Sequence, residues 1–163
     1  MIEHDLPPLI KNETCSVTGH RTLKKGFDRE KLDEKFKELF LKGYRYFLCG
    51  MALGFDTECF LSLERLRERY KDIKIVAVVP CQDQAAKFSQ KERAEYSRML
   101  SSADLVAAEK RTYFKNCMII RNDFLAENCS YLLAYFDGVS KKSGTYYTLS
   151  RAKKLGVETE NIY

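Results

Sequence analysis

Short apolar runs alternate with longer amphipathic stretches along most of the chain. Four runs, Thr14 to Thr18, Tyr44 to Cys49, Ile73 to Val79 and Tyr131 to Phe136, and a weaker one at Leu105 to Ala108, are flanked by Gly, Pro or Asp. Continuous runs of this length read as strands buried on both faces. Between them, Leu32, Phe36, Leu39 and Phe40 recur at helical spacing behind a candidate cap at Asp28, and Gly43 marks the stop. A second helix opens near Asp56 and carries Cys59, Leu63, Leu66 and Tyr70 on one stripe. Ser89 to Glu92 reads as a capping box for a third helix through Met99 and Leu100. Further helices are expected over 116–127 and 145–155, the last ended by Gly156. Alternation with connections of this length predicts an α/β fold: a mainly parallel sheet covered by helices on both sides, with ligands at the carboxyl ends of its strands. Residues 1–12, with Pro7-Pro8, form an N-terminal arm or an extra edge element before a single domain over 13–163.

Composition narrows the function class modestly. The 163 residues carry 28 basic and 23 acidic side chains, a net charge of +5 that permits contact with phosphates but falls short of a dedicated nucleic-acid-binding chain. Six cysteines, at 15, 49, 59, 81, 117 and 129, include no C-x-x-C pair and read as reduced core thiols rather than a metal site or a disulfide framework. The start of the chain has no basic region followed by an apolar stretch, and no segment reaches the length of a membrane span, so a cytoplasmic protein without membrane contact is expected. The 12% aromatic content leaves apolar surface that a homodimer could bury.

Three loops at predicted strand ends carry the candidate chemistry. In Thr18-Gly19-His20-Arg21 the glycine permits a sharp turn, and His20 and Arg21 are donors for an anion, or the segment is an ordinary strand-to-loop turn. Gly50-Met51-Ala52-Leu53-Gly54-Phe55-Asp56 follows a strand and opens a helix, so its amides and the helix dipole would meet a phosphate or ribose above it. It lacks the G-K-[ST] ending of a Walker loop and the spacing of G-x-G-x-x-G. Asp56 would repel phosphate, so it either accepts from a ribose hydroxyl or caps its helix. Ser143, Gly144 and Thr145 open the last helix with hydroxyls and amides, and Lys141 and Lys142 stand just before them. Arg121 and Asn122 lie among apolar residues of the fourth helix, where an arginine faces either water or a buried anion. Pro80 to Gln84 sits at another strand end, where Gln or Asp can line a cleft; Cys81 has no evident activating partner.

T-G-H-R, G-x-x-x-G-x-D, P-x-x-D-Q, an R-N pair and S-G-T, in that order from about Thr14 to Gly156, resemble the YpsA-like family of the SLOG superfamily. The resemblance implies a Rossmann-like domain with a cleft for a nucleotide-derived ligand such as ADP-ribose or an NAD-like molecule. The matching positions are Gly19, Arg21, Gly50, Gly54, Asp56, Arg121, Asn122, Gly144 and Thr145. The same superfamily includes LOG-type phosphoribohydrolases, whose P-G-G-x-G-T-x-x-E pattern carries a catalytic glutamate, and DprA-type proteins that bind single-stranded DNA. Here Thr148 stands where that glutamate would be, and cleavage of an N-glycosidic bond needs a carboxylate to stabilise charge on the ribose or activate water. Asp56 is the candidate substitute, with Asp137 behind it.

These features point first to a nucleotide-binding sensor or regulatory module that reports to a protein partner. An N-glycosidase acting on nucleoside monophosphates comes second. DprA-like DNA binding comes third, because it calls for a basic groove with stacking aromatics, at which Tyr113, Phe114 and Lys115 hint. On the modest net charge, a small phosphate-bearing ligand is expected rather than a nucleic-acid strand.

Overall fold

The structure, a computed structural model, describes residues 2–4 and 10–163. Pro7-Pro8 lies outside the described residues. The strands are β1 (Glu3–His4), β2 (Thr14–Gly19), β3 (Tyr46–Cys49), β4 (Lys74–Val79), β5 (Leu105–Ala108), β6 (Tyr131–Tyr135) and β7 (Glu158–Asn161). The helices are α1 (Arg29–Leu41), α2 (Phe55–Arg69), α3 (Gln90–Ser102), α4 (Cys117–Glu127) and α5 (Gly144–Lys154). The sheet order is β1-β5-β4-β3-β2-β6-β7, parallel throughout except for the antiparallel pairing of β1 with β5.

The sheet is the middle of three layers, a Rossmann-like α/β arrangement. Alternate residues of each strand face opposite sides. Cys15 and Val17, Phe47 and Cys49, Ile75 and Ala77, and Leu133 and Tyr135 pack against α1, α2 and α3 in the larger core. On the other face, Leu48, Val76 and Val78 meet Leu125 of α4, while Leu132 and Ala134 meet Leu149 and Ala152 of α5. All six cysteines are buried and free. Among the described residues no helix is long and apolar enough to cross a membrane.

The local signals for helix starts are realised with small shifts. The Asp28 side chain accepts from Lys31 N, Ser89 and Glu92 form the reciprocal capping box, and Ser143 accepts from Tyr146 N. The second helix differs: its N-cap is Gly54, at φ 81°, and Asp56 lies inside the first turn. β7 was not predicted, and β1 lies in the segment 1–12 expected as an arm or an extra edge element. Both are polar edge strands, so neither shows the apolar run that marks a buried strand; β7 reads Glu158-Thr159-Glu160-Asn161.

This order sets the site. From β2 the chain travels through α1 to β3 on one side, and from β6 through α5 to β7 on the other. The connections therefore part company between β2 and β6, the switch point where open α/β sheets leave a crevice beyond the carboxyl ends of their strands.

Candidate functional site

A cleft of about 330 Å³ occupies that crevice. Gly19, His20 and Arg21 leave β2 on one side, and Ser143, Gly144 and Thr145 open α5 on the other. Asp56 from α2 and Arg121 and Asn122 from α4 close the floor.

The amides of Gly144 and Thr145 precede the first intrahelical bond of α5, which runs from Tyr147 N to Ser143 O at 3.1 Å. They belong to the unpaired first-turn donors of a helix, at the positive end of its dipole. Gly144 lies so close to α4 that a Cβ there would stand 3.2 Å from Asn122 Nδ2. Arg21 is exposed at the mouth.

Arg121 and Asp56 are both buried, at 8% and 6% exposure. One guanidinium nitrogen of Arg121 donates to Gly50 O, and Nε donates to Asn122 Oδ1 at 2.8 Å. Asp56 Oδ2 accepts from Ala52 N at 3.1 Å. Gly50 makes this packing feasible: a Cβ there would lie 2.7 Å from Arg121 Nη1 and 3.1 Å from Asp56 Oδ2. Burial lifts the Asp56 carboxyl to about 6, against the opposing pull of Arg121, the Ala52 amide and Arg21. Burial likewise lowers Arg121 from its ordinary value, with Asp56 pulling the other way. The anion that Arg121 finds in the core is thus largely Asp56. Asp56 braces the 50–56 loop rather than capping its helix.

His20 Nε2 accepts from Asp137 N at 3.0 Å, which places the ring proton on Nδ1. Asp137 is committed to its own turn, accepting from Val139 N, Ser140 N and the Ser140 hydroxyl, and those bonds hold its carboxyl well below the usual range. Thr148 is fully buried and donates to Gly144 O at 2.8 Å. Neither supplies a free carboxylate to the cleft.

Nine of the eleven sequence candidates line the cleft: Gly19, His20, Arg21, Asp56, Arg121, Asn122, Ser143, Gly144 and Thr145. Gly50 and Gly54 stand behind its wall. Gly54 is pressed against the backbone of Arg21, with a Cβ position 2.2 Å from Arg21 O, so it locks two loops together. Lys141 and Lys142 are absent from the lining. The structure adds Met118 and Leu125, which with Arg121 and Asn122 form an i, i+3, i+4, i+7 face of α4. That spacing is visible in the sequence, but an apolar stripe there reads equally well as core.

The predicted Pro80 to Gln84 segment lines a second cleft, of about 430 Å³, that shares Arg21, Ala52 and Met118 with the first. Gln84 Nε2 donates to Gly50 O at 3.0 Å, the same carbonyl that Arg121 engages. Burial holds the Cys81 thiol well above its usual range, with Cys117 adding to the effect.

With that geometry in view, comparison with known proteins is informative. A family model for YpsA, described as the YspA SLOG family, matches residues 17–162. The chain belongs to this family. Among its relatives is the uncharacterized SPbeta prophage-derived protein YoqJ of Bacillus subtilis, 30% identical over 77% of this chain and 80% of that protein. A UPF0398 protein of Bacillus licheniformis is 24% identical over 87% of this chain and 84% of its own length. The solved structure of DNA processing protein A from Helicobacter pylori, described for its single-stranded-DNA binding mode, has a TM-score of 0.67 and 15% identity. The match covers 93% of this chain, which spans 65% of that one. Such a likeness shows the shared fold. It also overturns one expectation from composition: a net charge of +5 is no ground for setting nucleic acid aside, since a neighbour of this fold binds single-stranded DNA.

Proposed function

We propose that this YpsA-family chain binds a phosphate-bearing, nucleotide-derived ligand, of the ADP-ribose or NAD class, in the cleft between β2 and β6. The observation that carries the reading is the convergence, at the switch point of the sheet, of the unpaired α5 amides of Gly144 and Thr145 with Arg21. A helix N-terminus facing a cation is a ready site for phosphate. Asp56, deeper in the cleft, accepts from a ribose hydroxyl. The ligand is bound rather than consumed, and the domain acts as a sensor: Thr148 replaces a catalytic glutamate and Asp137 is tied into its turn.

Calorimetry with ADP-ribose, NAD, AMP and a single-stranded oligonucleotide tests this. Binding of at least one nucleotide is expected, weakened tenfold or more by Arg21→Ala, since a charge-assisted hydrogen bond contributes about 1.5–3 kcal/mol. An oligonucleotide that binds and is displaced by AMP would put the strand's phosphate in this cleft. No binding by the wild type, or none lost in the variant, overturns the assignment.

One observation favours a second reading, nucleotide N-glycoside hydrolysis. Asp56 is a cleft carboxyl poised near 6, within the range a general acid–base group uses. It predicts release of free base from AMP, abolished by Asp56→Asn.

A further inference from the structure

We infer that the second cleft is a base subsite, holding an amino-bearing nucleobase by stacking on Tyr113 and hydrogen bonding to Asp83. This rests on the reading of the first cleft as a phosphate site and extends it. The two clefts share Arg21, Ala52 and Met118 and so lie side by side, which brings the second within reach of a ligand whose phosphate sits at α5. Another neighbouring cleft shares Arg21 alone with the phosphate site and is walled by Glu58, Glu92 and Glu95.

The lining suits a flat, largely apolar group with a polar edge. Tyr113 is 64% exposed, a large area for an aromatic that no core requires. Its backbone is pinned, because Tyr113 N donates to Asp83 Oδ1 at 2.7 Å. An exposed ring on a fixed backbone is a platform for a base, since every base has a π-face. Leu53, Phe88 and Met118 add apolar lining to the same cleft, and Met adapts to irregular surfaces. Gln84 is no reader of the base: its nitrogen is committed to Gly50 O, and its oxygen accepts from the Tyr96 hydroxyl at 3.1 Å.

Asp83 is the reader. An ionised carboxylate accepts and never donates, and donors from the Tyr113 amide and the Cys81 thiol still leave lone pairs to spare on an exposed side chain. It therefore favours a base edge carrying an exocyclic amino group, as in adenine, over hypoxanthine, which puts a carbonyl at that position and keeps only its ring N1–H to donate.

Calorimetry with AMP, IMP and ribose 5-phosphate separates the two clefts. AMP is expected to bind more tightly than IMP, and Tyr113→Ala to weaken AMP roughly tenfold while leaving ribose 5-phosphate unchanged. Tyr113→Phe should retain AMP affinity, and Asp83→Asn should erase the preference over IMP. Both positions are exposed, and matched melting temperatures confirm that the variants fold. If AMP binds the wild type and Tyr113→Ala equally, the base subsite is overturned while the phosphate cleft stands. If neither AMP nor ribose 5-phosphate binds the wild type, both fall together.

Discussion

Gly54 and Gly43 both sit at positive φ, 81° and 109°, but their surroundings differ. A Cβ at Gly43 meets nothing within 4 Å, whereas one at Gly54 meets the Arg21 backbone at 2.2 Å. Gly43→Ala should therefore cost about 1 kcal/mol from backbone conformation alone. Gly54→Ala adds a collision that only movement of the 20–23 loop relieves, and should cost about 3 kcal/mol or more, seen as a fall of roughly 5–10 °C in Tm. Equal melting temperatures for the two variants would refute the locking role of Gly54. Asp56 gives a second test at this scale. Its carboxyl titrates from 3.8 unfolded to about 6 folded, so the folded state binds the proton more tightly. Its contribution to stability is greatest below about pH 4 and declines as pH rises through 6. Relative to Asp56→Asn, the wild type should lose roughly 3 kcal/mol between pH 4 and pH 7, read from denaturant melts at each pH. A difference independent of pH would show that Asp56 is not buried as described.

The elements show how local rules and tertiary demands divide the work. Ser143 holds the start of α5 by accepting from Tyr146 N and donating to Ser140 O at 2.6 Å. Ser143→Ala should cost about 1 kcal/mol, a drop of roughly 2–4 °C in Tm, measured by circular dichroism. The caps at Asp28, Ser89 and Ser143 were legible because each is a local signal, readable within one turn. The four buried parallel strands, β2, β3, β4 and β6, were legible for the same reason, as continuous apolar runs, and the half-exposed β5 showed the weaker run its burial allows. β7 was not, because an edge strand of Glu, Thr and Asn is specified by its partner β6 and not by its own composition. The start of α2 was placed to within a residue, but Asp56 was weighed as its cap where the structure uses Gly54, a choice written in the close approach to Arg21, a contact 33 residues away in sequence. At the site, the glycine-bearing loops come together around one cleft, but Gly50 and Gly54, expected to turn loop amides toward a phosphate or ribose, stand behind its wall. They make room for Arg121, Asp56 and the backbone of Arg21.

At the scale of the whole molecule, the candidate site follows from where the connections of the sheet part company. The parting of the connections between β2 and β6 opens the crevice, and the loop after β2 together with α2, α4 and α5 fills its walls with Arg21, Asp56, Arg121 and the first turn of α5. Net charge, being a sum over the surface, carries no information about such a local concentration of donors. This is why the net charge was no ground for setting nucleic acid aside, and why the order of the strand-end motifs was the better guide to the family. The account stands most directly on where a ligand's phosphate lies. A crystal structure with AMP or ADP-ribose bound measures it: a phosphate oxygen is predicted within hydrogen-bond distance of the Gly144 and Thr145 amides, with Arg21 closing over it. A nucleotide found elsewhere on the protein, with the crevice between β2 and β6 holding only water, would contradict the account.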